Sequence, residues 1–121
     1  MQKKIVITGG EGRFAQVLKR DNKKLDILYP SKKELNILSI NSINKYLKKN
    51  KPKYLIHAAA LSRPMNIHDR QISKSIDLNI IGTANIVKVC SELKIKLIYF
   101  STGYVYEGKI GNYKEKDPVL P

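Results

Sequence analysis

Apolar residues fall in short bursts along this chain, and the polar stretches between them carry their own apolar positions at three- and four-residue spacing. The first burst, Ile5-Val6-Ile7, is β-branched and predicts a strand. It runs through Thr8-Gly9-Gly10-Glu11-Gly12 into Arg13 to about Asn22, where Phe14, Val17 and Leu18 predict a crossover helix. Leu25 to Tyr29, closed by Pro30, predicts a second strand, giving a parallel βαβ unit. Residues 31–40 read as irregular, and a helix is predicted from about Ser42 to Asn50 with Ile43 and Leu47 inward. Tyr54 to Ala58 lacks alternation, the pattern of a strand covered on both faces.

A looser section follows, and Ser73 to about Leu93 predicts the longest helix, with Ile76, Asn79, Ile80, Thr83, Ile86, Val87 and Cys90 as its inner face. Asn79 and Gly82 are poor helix formers at or near inward positions, which points to a close contact or a function. Lys96 to Phe100 predicts the last strand, and Lys109 to Pro121 is polar and turn-rich. Alternating strands and helices predict an α/β domain with a parallel sheet in the order 2-1-3-4, the last strand lying at an open edge. Ligands of such sheets collect at the carboxyl ends of the strands. Gly9 to Gly12, Ala58 to Ala60 and Ser101 to Tyr104 all fall there.

The spacing Gly9-x-x-Gly12-x-x-Ala15 has a physical reading. The first glycine permits the turn, the second lets the backbone approach a phosphate, and the small third residue lets the helix pack against the strand. A dinucleotide pyrophosphate is favoured by the N–H groups and partial positive charge at the helix start.

Composition narrows the alternatives. The chain has 121 residues, 42% of them hydrophobic, which suits one folded domain with a core. A net charge of +13 raises nucleic-acid binding, but the lysines are scattered rather than clustered, so no nucleic-acid partner is expected. The apolar run behind the basic start is too short for a signal peptide, and no stretch approaches a membrane span. The lone Cys90 excludes an internal disulfide and suits a reducing cytoplasm as a small buried residue. His57 reads as a buried strand residue and His68 as a loop residue, and with one cysteine they make no metal site.

Taken together these motifs resemble the extended short-chain dehydrogenase/reductase superfamily, most closely its dTDP-4-dehydrorhamnose reductase family, over essentially the whole chain. Thr8 to Ala15 is similar to the cofactor turn, with Ala15 for the usual last glycine. Leu35-Asn36-Ile37 is similar to the adenine-contacting segment, Asn36 replacing an acid. His57-Ala58-Ala59-Ala60 resembles the Asn-Ala-Ala-Ala strand end, whose backbone lines the cofactor. Asn79-x-x-Gly82-x-x-Asn85 matches a helix motif whose asparagine ties the central strands together beneath the nicotinamide. Ser101-Thr102-Gly103-Tyr104-Val105-Tyr106-Glu107-Gly108 resembles a Ser-Thr-Asp-Tyr-Val-Phe-x-Gly signature, with Gly103 in place of Asp. Tyr113 to Pro121 is similar to the segment leading to the active-site tyrosine.

The resemblance implies a Rossmann-like, doubly wound parallel sheet. Residues 1–121 would form the NAD(P)-binding N-terminal portion, ahead of a C-terminal substrate-binding part. It implies hydride transfer reducing a 4-keto sugar on a nucleotide-sugar substrate, in the cytoplasm. Cofactor contacts are expected from Gly9, Gly12, Arg13, Phe14, Ser31, Lys32, Asn36, Ala58, Ala59, Ala60, Asn79 and Ser101. Thr102 is expected to orient the sugar oxygen as the catalytic hydroxyl, and Tyr104 to touch substrate. The family's Tyr-x-x-x-Lys pair is expected just beyond Pro121, so this chain alone is expected to be inactive. About 20 positions beyond the first glycine, where an acid would select NAD, stand Tyr29 and then Ser31-Lys32-Lys33, which favours NADP. From the open edge the isolated chain is expected to be either marginally stable or a homo-oligomer. The alternative is a non-catalytic NAD(P)-binding regulatory subunit similar to the β subunit of methionine adenosyltransferase.

Overall fold

A computed structural model describes residues 3–120, so Met1, Gln2 and Pro121 lie outside the described residues. Four strands form one sheet: β1 (Ile5–Thr8), β2 (Ile27–Leu28), β3 (Tyr54–His57) and β4 (Lys96–Tyr99). Their order is β2-β1-β3-β4 and every pairing is parallel, as the alternating pattern predicts. The register sets Thr8 opposite His57 and His57 opposite Tyr99, so the loops after β1, β3 and β4 leave the sheet side by side. β2 is only two residues long, shorter than the predicted Leu25 to Tyr29.

The helices are α1 (Arg13–Asp21), α2 (Ile40–Asn50), α3 (Ile67–Arg70), α4 (Ile72–Ile76) and α5 (Gly82–Glu92). α2 begins two residues before the predicted Ser42, because the Ser39 hydroxyl caps it by accepting the Ser42 N–H at 3.2 Å. Val6, Leu55, Ile43, Leu47, Ile86, Val89 and Cys90 form the centre of one core, with Leu35 and Ile37 from the irregular stretch. Alternation along β1 sends Ile7 to the opposite face. Ile7 and Ala15 of α1 are both fully buried, outside that cluster.

Two predicted faces are displaced. In α1 the buried residue is Ala15, while Phe14 and Val17 are about half exposed, at 48% and 49%. The small Ala15 is the α1 residue that is fully buried, which leaves the two larger side chains on its flanks. In the long helix Ile86 and Cys90 are buried as predicted, together with Gly82 and Val89, while Ile76, Ile80 and Val87 are exposed. For Ile76 and Ile80 the cause is a π-helical turn at Asp77–Ile81 joining α4 to α5. It adds one residue to a turn, which rotates the buried face by about 100° relative to an unbroken α-helix. β3 also differs: Leu55 and His57 are buried but Tyr54 and Ile56 only partly, so one face of the strand is less covered than predicted.

Candidate functional site

The Gly9 backbone has φ of +70°, a conformation that favours glycine, and the Gly12 N–H closes the turn on the Gly9 carbonyl at 2.8 Å. A β-carbon on Gly9 would stand 3.0 Å from both the N and the Cα of Ala59. Gly12 is the N-cap of α1, with no side-chain cap and no acid in the first turn, so the helix start is left open to an anion. Gly9 pressed against the end of β3 and Gly10 against the end of β2, beside an uncapped helix, make a cradle of backbone N–H groups.

That cradle is one wall of a cavity of about 280 Å³, bounded by Gly9 to Gly12, Ala58 to Ala60, Asn36 and Lys32. Ser31, Lys32, Lys33 and Asn36 line a surface hollow at its rim with Glu11. The nearby acid is turned away: Glu34 Oε2 accepts the Ser31 N–H at 2.8 Å and the Ser31 hydroxyl at 2.9 Å. Those donations hold the Glu34 carboxyl below the usual carboxylate range. Asn36 Oδ1 accepts the Leu38 N–H, which leaves the Asn36 amide NH₂ for the cavity.

A second cavity, of about 710 Å³, begins where the first ends, sharing Ala58, Ala59 and Ala60. Phe14, Tyr99 and Phe100 give it an aromatic side, the Phe14 and Phe100 rings meeting edge to face at 4.9 Å. Thr102 and Tyr104 stand at its mouth, Tyr104 77% exposed. The Thr102 oxygen caps the 3₁₀ turn Gly103–Val105 by accepting the Tyr104 N–H at 3.2 Å, so its own hydrogen remains available. Asn79, on the π turn, accepts the Leu61 N–H at 2.7 Å and donates to the Leu61 carbonyl at 2.9 Å. It thus ties the loop after β3 to the helix rather than tying the strands to each other. Gly82 and Asn85 both dock on Ile37: the first leaves room for its side chain, and the second donates to its carbonyl at 3.0 Å.

Of the predicted residues, Gly9, Gly12, Lys32, Asn36 and Ala58 to Ala60 meet around the first cavity. Ser31 sits at its rim, and Phe14, Asn79, Thr102 and Tyr104 belong to the second. Arg13 is exposed at the helix start and Ser101 is exposed beside Thr102, and neither lines these two cavities. His68 is brought to the second cavity as well, its Nδ1 2.7 Å from the Ser75 hydroxyl. Sequence reasoning missed Leu61, Ser62 and Met65 on its wall, which come from a loop without periodicity. Cys90 is buried, its thiol pushed up to about 11 by desolvation, and is inert as a nucleophile.

An open parallel sheet with a glycine turn between its first strand and helix is a Rossmann-like fold, and the site lies at the carboxyl edge of its strands. The chain belongs to the family described as the RmlD substrate binding domain, whose model matches residues 3–121. It is similar to the dTDP-4-dehydrorhamnose reductase of Aggregatibacter actinomycetemcomitans, at 26% identity over 98% of this chain and 41% of that protein. It is also similar to the methionine adenosyltransferase 2 subunit beta of Xenopus laevis, at 33% identity over 67% of this chain and 24% of that protein. The crystal structure of a dTDP-4-dehydrorhamnose reductase from Bacillus anthracis in complex with NADP superposes with a TM-score of 0.81 at 27% identity, covering 90% of this chain and 39% of that one. The chain therefore spans less than half the length of these relatives.

Proposed function

We propose that residues 1–121 are the cofactor-binding N-terminal portion of an NADP-dependent sugar-nucleotide oxidoreductase that reduces a 4-keto sugar. The observation that carries this reading is the continuity of the two cavities. A backbone cradle suited to a pyrophosphate opens at one end onto Lys32 and at the other into an aromatic cavity that finishes at the Thr102 hydroxyl. The glycine positions fit the cofactor, because a β-carbon on Gly9 or Gly10 would close the cradle against backbone. The NADP bound by the similar Bacillus anthracis reductase supports the choice of cofactor.

In this reading Gly9 to Gly12 hold the pyrophosphate, Lys32 and Ser31 the adenosine end, and Asn36 the adenine. Ala58 to Ala60 form the floor on which the cofactor lies. The nicotinamide supplies a hydride to the sugar carbonyl carbon. Thr102 would hydrogen-bond the carbonyl oxygen as negative charge builds there, the proton that completes the alcohol coming from a separate general acid of the full-length protein. Tyr104 closes the mouth over the sugar, and Phe14, Tyr99 and Phe100 keep water from the reacting face. A single buried Cys90 suits a cytoplasmic setting. The reductase reading is preferred to the regulatory-subunit one because the reductase similarity covers 98% of the chain, the Thr102 signature included, against 67–76% for the subunit-beta relatives.

Calorimetric titration of the chain with NADP and with NAD tests the cofactor assignment. Saturable one-to-one binding, tighter for NADP and abolished by Gly9→Val, is the expected result. Failure of both nucleotides to bind refutes the reading.

A further inference from the structure

A chain of side-chain hydrogen bonds crosses the floor of the second cavity from β1 through β3 to α5. The Thr8 hydroxyl oxygen lies 2.7 Å from His57 Nδ1 and accepts the backbone N–H groups of Ala58 at 3.1 Å and Ala59 at 3.2 Å. A hydroxyl has one hydrogen and two lone pairs. With both lone pairs occupied by N–H donors, its hydrogen must go to His57 Nδ1, which is then the bare nitrogen of the ring. Neutral His57 carries its proton on Nε2, 3.0 Å from the Thr83 oxygen, and donates it there. Desolvation favours the neutral ring, which is only 2% exposed and stacks on Tyr99.

The consequence falls on Thr83. Its oxygen is an acceptor toward His57, and no other hydrogen bond engages its hydroxyl among the described residues. Thr83 stands one helical turn after Asn79 on the wall of the second cavity. We propose that His57 is a positioning residue: by donating to the Thr83 oxygen it turns the Thr83 hydroxyl hydrogen into the second cavity, as a donor to an oxygen acceptor at the nicotinamide end of the cofactor. This rests on the cofactor reading above. It adds a specific donor from α5 to the cavity that Thr102 also lines.

The test uses four variants and two probes, NADP and ADP-ribose 2′-phosphate, which lacks the nicotinamide. Thr83→Val keeps the shape and removes the hydroxyl, and Thr83→Ser restores it. His57→Asn places its amide near the Nδ1 position, short of Thr83, whereas His57→Gln extends an N–H toward the Nε2 position. Thr83→Val and His57→Asn are expected to bind NADP about tenfold more weakly than wild type, one hydrogen bond's worth, while binding ADP-ribose 2′-phosphate equally well. Thr83→Ser and His57→Gln are expected to keep most of the NADP affinity. Nitrogen-15 spectra of wild type are expected to show His57 protonated at Nε2. A ring protonated at Nδ1 overturns the proposal directly. Equal losses for both probes overturn it in favour of a purely structural tie between β3 and α5, and unchanged NADP binding overturns it as well. A wild-type chain that binds neither probe overturns the cofactor reading itself, and with it the ligand assigned to Thr83.

Discussion

Gly10 abuts the backbone of Tyr29: a β-carbon placed on it would stand 2.9 Å from the Tyr29 carbonyl carbon and 2.8 Å from the Pro30 oxygen. The end of β2 is thereby held against the turn that follows β1. This is where Ser31 and Lys32 acquire their place at the rim of the first cavity.

Gly10→Ala should therefore cost about 1–3 kcal/mol, because the obstructing atoms are main chain and cannot step aside as a flexible side chain would. Gly103→Ala is the control, since nothing lies within 4 Å of a β-carbon there. Urea unfolding should show a lowered midpoint for the first variant and a wild-type midpoint for the second. Equal midpoints would show that the β2 end moves freely away from the turn.

At the rim, Lys32 and Lys33 face the same hollow as Ser31 and Asn36, while Glu34 is engaged by Ser31. A phosphate on the adenosine ribose would meet two lysines there against one acid, Glu11, on the facing glycine turn. Replacing both by Glu should reverse the preference, weakening NADP by roughly 10- to 100-fold, the worth of a charge-assisted hydrogen bond, while sparing NAD. Equal affinities for the two nucleotides in both proteins would contradict the assignment of Lys32.

His57 also makes stability depend on pH. Burial lowers its folded pKa below the ordinary 6.5, so the unfolded chain binds its proton first as the solution is acidified. The contribution of the neutral ring is present above 6.5 and is lost as pH falls from there through the lower folded value. A protonated Nδ1 would also confront a Thr8 oxygen whose lone pairs are already occupied by Ala58 and Ala59. His57→Gln should flatten the stability profile between pH 7 and pH 5, measured by denaturant midpoints at each pH. A wild-type profile that is already flat in that range would remove His57 as its source.

Much of this site could be read in the sequence, for reasons that differ from residue to residue. Gly9, Gly12 and Ala15 were legible because steric demands on a strand–turn–helix junction leave few residue types able to fill it. Ile43 and Leu47 were legible because α2 is a regular helix throughout. In the long helix Ile86 and Cys90 were legible too, but the face of the turns before them was not, since periodicity assumes a constant 100° per residue and the π turn at Asp77–Ile81 breaks it. Ile80, assigned inward by that periodicity, is 64% exposed. The roles of Thr8 and Thr83 were hidden for another reason. Their hydrogen bonds join residues 49 and 26 positions away, which no local pattern encodes.

The proposed chemistry turns on Thr102. Its oxygen already accepts the Tyr104 N–H, which fixes the side chain and leaves the hydroxyl hydrogen as a donor to the second cavity. In a full-length protein with the proposed activity, Thr102→Val would preserve the volume of the side chain and delete only that donor. The expected loss is about 2.7–4 kcal/mol of transition-state stabilisation, the range found for removing one preorganised oxyanion donor. Turnover should fall by roughly two to three powers of ten, because each 1.4 kcal/mol is about tenfold in rate. NADP affinity should barely change, since the phosphates would bind at Gly9 to Gly12, in the other cavity. Ser101→Ala is the informative neighbour: Ser101 is exposed and lines neither of these cavities, so its loss should be mild. Steady-state kinetics of the three proteins separate the possibilities. If Thr102→Val turned over at the wild-type rate, or if Ser101→Ala proved the more damaging, the hydroxyl that meets the sugar oxygen would have to be sought elsewhere.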